Sequence, residues 1–154
     1  MFWVNDTLDN RHNKIRAFSS REDIMIGYLL AAADFEWTLR RAILGLGYRA
    51  TKIIRYVSLK NCHGPDLYEK VWEKEVYPLR HKRLPEVLSG WKNLCTKAFP
   101  LRHQLIHGIK GTPGVPFATD RRDIFLAAST ELVRYAHAEG VELYKRIPVR
   151  LKDR

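Results

Sequence analysis

The sequence predicts an all-α fold, a bundle of about five helices in which two long helices hold the shorter ones between them. Three observations predict it. Apolar residues recur at three- and four-residue spacing over long windows, no alternating strand pattern of useful length competes, and Ser, Asp, Gly and Pro bound the windows as helix ends do.

The first helix is expected over 21–44. Ser20 and Asp23 form an N-terminal signature, and Ile24, Tyr28, Leu29, Ala32, Phe35, Leu39 and Ile43 follow in register until Gly45 and Gly47. A second helix, 48–60, places Ile53, Ile54 and Val57 on one side and ends before the turn Cys62-His63-Gly64-Pro65. Asp66 opens a third with Leu67, Val71, Trp72 and Val76 inward, stopped by Pro78. A fourth spans 85–98 with Val87, Leu88, Trp91, Leu94 and Cys95 in register; after a break at Pro100 a short segment, 101–107, is stopped by Gly108. Gly111 to Pro116 is a loop by composition. Asp120 with Asp123 opens a last long helix through 145, and Gly140 is where it bends or ends. Residues 1–19 then form an N-terminal arm, 20–147 the bundle and 148–154 a basic tail.

Length and composition fit one domain: 154 residues, 45% apolar and 29% charged. No apolar run reaches the ~18 residues of a membrane span, and the N-terminus MFWVNDTLDN carries acids where a secretory signal has a basic region, so the expected location is cytoplasmic, with no membrane partner. Two cysteines are too few for a disulfide framework. Lys and Arg number 27 against 17 Asp and Glu, a net charge of +10 that attracts polyanions. The basic residues are dispersed rather than gathered opposite an apolar stripe, which favours nucleic acid over a membrane surface.

The richest chemistry lies in Phe99-Pro100-Leu101-Arg102-His103-Gln104-Leu105-Ile106-His107-Gly108. Pro100 suits the first position of a helix, which puts Arg102 in the first turn, beside unpaired backbone N–H groups and the positive dipole end. That is a site for a phosphate oxygen. Gly108 suits the position just past the end, with His107 in the last turn. Arg102 and His107 stand roughly 140° apart and about 7.5 Å along an ideal helix, so they do not share a face. One site using both requires an irregular helix or two copies meeting at a dimer axis, and the second is the expectation.

The bare Arg-to-His spacing is common in so arginine-rich a chain; the polar residue after the arginine, the apolar pair before the histidine and the helical setting narrow it. Arg102-His103-Gln104-Leu105-Ile106-His107 resembles the signature of the HEPN superfamily: Arg, a polar residue, a few mostly apolar residues, then His. The resemblance covers six residues, and a HEPN-like helical bundle fits the rest in outline. It implies a metal-independent endoribonuclease without cofactor, working as a homodimer with a composite site, often as a toxin with an antitoxin or regulatory partner, or in antiviral defence. It further implies that His107 is general acid or base at the ribose 2′-OH and the 5′ oxygen, that Arg102 holds the scissile phosphate, and that His103 orients them. Some members carry a tyrosine two residues past the histidine that a partner modifies; here that position is Ile109.

Other readings stand beside this one. Arg102 and His107 can instead cap a short helix, leaving a catalytically inactive adaptor that binds RNA or a protein. Asp34 and Glu36 interrupt an apolar face, either as acids that pair with an arginine or as groups that contact Arg102 and fix it. Cys62, His63, His81, Cys95 and His103 lack zinc-ligand spacing, so no metal site is expected. The tryptophans fall at core spacing.

Overall fold

The computed structural model describes residues 6–108 and 113–154, and every regular element among them is helical. The first is α1, Leu8–Arg16, capped by the Thr7 side chain, which accepts the Asn10 N–H at 3.2 Å. Next, α2 (Ile24–Leu46) starts where Asp23 accepts the Ser20 N–H at 2.7 Å. A short α3, Thr51–Ile53, runs into a π-helical turn, Ile54–Ser58. Then come α4 (Pro65–Glu75), α5 (Tyr77–Arg80), α6 (Leu84–Val87) and α7 (Trp91–Asn93). A second π turn, Leu94–Ala98, leads directly into α8, Phe99–Ile106. The last helix is α9, Val115–Ala138.

The two long helices, α2 and α9, pack directly against each other, and the short helices flank the pair instead of lying between them. Their contact is aromatic. Phe35 of α2 and Phe125 of α9 lie 5.6 Å apart by ring centroid, with Phe99 of α8 against both, at 6.0 and 5.3 Å. Burying each such ring is worth about 1.5–3 kcal/mol, so this cluster fixes α8 on the long pair.

Several helix limits differ from the expectation, each for a local reason. The segment 48–60 is not one α-helix: the Leu59 N–H reaches back to the Ile54 carbonyl at 2.9 Å, and this wider turn leaves Val57 65% exposed while Ile54 is buried. The segment 85–98 is broken at Leu88, which is extended, before Gly90 and Trp91 restart it. No break occurs at Pro100. The π turn spreads the chain just before it, so the proline ring enters α8 at its first turn, where no N–H is required.

By the same rule Val115 and Pro116, expected in a loop, open α9. It stops at Ala138 rather than near 145. Gly140 has φ +80°, and the Val141 N–H closes on the Ala136 carbonyl at 2.8 Å. Arg41 of α2 then draws the chain back by bonding the Leu143 and Lys145 carbonyls at 2.5 and 2.6 Å.

Both the first helix and the C-terminal segment are docked on the bundle. In the segment read as an arm, Ile15 is fully buried and Arg11 and His12 reach α2. In the basic tail, the Thr51 N–H bonds the Arg150 carbonyl at 3.0 Å, and the Arg150 guanidinium bonds the Leu44 carbonyl at 2.8 Å, at the negative end of α2. The first five residues, Ile109, and Gly111 and Thr112 of the expected loop lie outside the described residues. Among the described residues no helix is long and apolar enough to cross a membrane.

Candidate active site

Because α8 continues from a π turn, its first N–H groups are not free. The Phe99 N–H bonds the Leu94 carbonyl. Tyr28 of α2 donates its hydroxyl to the Ala98 carbonyl at 2.5 Å, which ties α2 to the start of α8. The expected anion site at the start of this helix is therefore not formed, and an anion at this place has the Arg102 side chain to meet instead.

That side chain is braced. Arg102 Nε stands 2.9 Å from Glu36 Oε1, an ion pair rather than an aligned hydrogen bond, with Arg102 about one-third exposed. Among the described residues no acceptor meets its two terminal nitrogens, which leaves them for an anion. Glu36 Oε2 accepts the Tyr68 hydroxyl at 3.1 Å. Arg40 Nε donates to the same hydroxyl at 2.9 Å, while its other nitrogens hold the Leu59 and Cys62 carbonyls at 3.0 and 2.7 Å. Burial, with Glu36 adding to it, pushes the Tyr68 phenol well above its ordinary range, and burial does the same to Tyr28. Both therefore stay protonated donors.

Asp34 does not reach this site. It pairs with Arg11 and lies 3.3 Å from His12 Nε2, all three buried. The reason is helical geometry: residues two apart point roughly 200° apart on α2, so the two carboxylates cannot serve one place. Of the pair proposed to support Arg102, Glu36 contacts it and Asp34 anchors α1.

The two histidines of α8 lie one turn apart, rings 4.4 Å between centroids and tilted by 53°. His107 has already left helical geometry, with φ −97° and ψ 3°, and its N–H bonds the His103 carbonyl at 3.1 Å. The helix end supplies the irregularity that was one of the two routes open to the five-residue spacing, the other and expected one being a dimer axis. Arg102, His103 and His107 line one groove within a single chain, a space of about 680 Å³.

His63, Gly64 and Pro65, just before and at the start of α4, line the same groove, as does Cys95. Burial pushes the Cys95 thiol up to about 11, with Asp66 and Glu69 adding to the effect, so it is no thiolate nucleophile near neutral pH. His81 does not line the groove, and among the described residues no three His, Cys, Asp or Glu converge as a metal site.

Sequence reasoning missed Tyr68, Arg40 and the place of His63. The only signal was a His-Gly-Pro turn opening a helix. The chain matches no protein-family model, no curated protein and no solved structure.

Proposed function

We propose that this protein is a metal-independent endoribonuclease of the HEPN type, acting as a homodimeric effector, with Arg102 and His107 essential and His103 supporting. The single observation behind the reading is that Arg102, held from behind by Glu36, shares one groove with two imidazoles. A guanidinium whose two terminal nitrogens meet no acceptor among the described residues suits a phosphodiester, and imidazoles move protons near neutral pH.

In the reaction, the ribose 2′-OH gives up its proton and its oxygen attacks the adjacent phosphorus. The P–O5′ bond breaks and the 5′ oxygen takes a proton. The products are a 2′,3′-cyclic phosphate and a 5′-hydroxyl, and DNA, lacking the nucleophile, is resistant. Arg102 stabilises charge on the pentacoordinate phosphorus, and His107 exchanges one of the two protons. The +10 charge collects the substrate, so cleavage falls steeply with added salt.

Structured RNA incubated with the protein in EDTA tests this. Cleavage is expected, and His107→Ala and Arg102→Ala each lower it by about 10²-fold or more. Cleavage that needs magnesium, or that survives both substitutions, overturns the site. Binding without cleavage across many RNAs points to an inactive adaptor.

A further inference from the structure

We propose that His63 is the second proton-transfer residue of this groove, so that one chain carries both the acid and the base for RNA cleavage. The proposal rests on the ribonuclease reading of the groove and adds the identity of the second imidazole.

In-line displacement at phosphorus requires two proton movements at opposite sides of the phosphate: one off the 2′-OH, one onto the 5′ oxygen. His103 and His107 are neighbours on one helix, rings in contact, and so flank the same side. His63 comes from a different element. It lies in the turn before α4 and lines the same groove as Arg102 and His107.

Its turn is also tied to the arginine. From Arg102 the chain of contacts runs to Glu36, from Glu36 to the Tyr68 hydroxyl, from there to Arg40, and from Arg40 to the carbonyl of Cys62, the residue before His63. Glu36 thereby sets the phosphate-binding arginine and the His63 turn in one register.

The proposal gives each residue one of the two protons. His63 stands just before α4 and His107 at the C-terminal end of α8, so the two imidazoles reach the groove from different elements. In this assignment His63 removes the 2′-OH proton as the P–O2′ bond forms. His107 delivers a proton to the 5′ oxygen as the P–O5′ bond breaks, and no further reactant is needed. Among the described residues, the other titratable groups on the groove are Cys95, Arg102 and His103.

The test is the pH profile of kcat/KM on a short RNA for the wild type, His63→Ala and His107→Ala. The wild type gives a bell. His63→Ala is expected to fall by about 10²-fold or more and to lose the limb on the acid side, with partial rescue by added imidazole, whereas His107→Ala loses the alkaline limb. His63 is exposed, so the fold of the variant is not at risk, and an unchanged far-UV circular dichroism melt verifies it.

Mixing the two inactive variants restores nothing if both residues act from one chain. Recovery on mixing places the pair across a dimer and overturns the single-chain site. Wild-type rates with both limbs in His63→Ala overturn the role of His63 and leave the ribonuclease reading standing. No cleavage by the wild type removes both.

Discussion

Glu36 meets two demands with two oxygens: one faces Arg102, the other receives Tyr68. Glu36→Gln keeps the size and an acceptor for Tyr68 but removes the charge that orients the guanidinium. Because small displacements of a positioned group cost up to about 10²-fold, turnover on RNA is expected to drop by about 10- to 100-fold with KM and melting temperature little changed. A variant with wild-type turnover would show that Arg102 needs no brace. Sequence spacing made Arg102, His103 and His107 legible because all three fall within six residues of one short helix. It could not choose between Asp34 and Glu36, since each interrupts the same apolar run and only their angular separation on α2 sends one to Arg102 and the other to Arg11. Tyr68 and Arg40 bond each other across 28 residues of chain, so no local spacing links either of them to Arg102.

At the scale of elements, the period of apolar residues located α2, α4 and α9, and it failed where the chain widens into π turns. Such a turn adds one residue without changing composition, so nothing in 94–98 announces that Pro100 will be carried through instead of breaking the helix. The docking of α1 was equally hidden, because a polar nine-residue helix has little apolar periodicity and its hold on α2 is Ile15, the Asp34 cluster and a close approach at Gly27. A Cβ on Gly27 would stand 2.8 Å from the Phe18 carbonyl oxygen and 3.1 Å from that of Ile15, backbone atoms that cannot turn aside. Two effects therefore compete in Gly27→Ala: helix propensity gains about 1 kcal/mol, and overpacking costs about 1–3 kcal/mol. The clash is expected to win, lowering the melting temperature and speeding amide exchange in α1 ahead of the core. A rise in melting temperature would mean that α1 moves aside at no cost.

For the whole molecule, charge and stability meet at the same acids. With a net +10, every carboxylate that takes up a proton adds to self-repulsion, and Asp34, Glu36, Glu75 and Glu139 are each spent on an arginine. Asp34 is the most consequential. Burial alone would raise its pKa, but the hydrogen bonds from His12 and Arg11 and the charge of Arg11 outweigh burial and hold the carboxyl below its usual range. A value depressed in the folded state means that the unfolded chain binds this proton more readily. The stabilisation is then complete above the unfolded value of about 4 and is lost as the pH falls through the folded one. The wild-type melting temperature should therefore decline steeply below about pH 4, with α1 released as Arg11 loses its partner. Asp34→Asn lacks the charge at every pH. It is expected to melt lower than the wild type at pH 7, as a broken buried pair costs about 3–5 kcal/mol, and to approach the wild-type curve on acidification. Parallel curves for the two proteins from pH 7 down would place the acid sensitivity in other carboxylates and reduce Asp34 to a contact of ordinary strength.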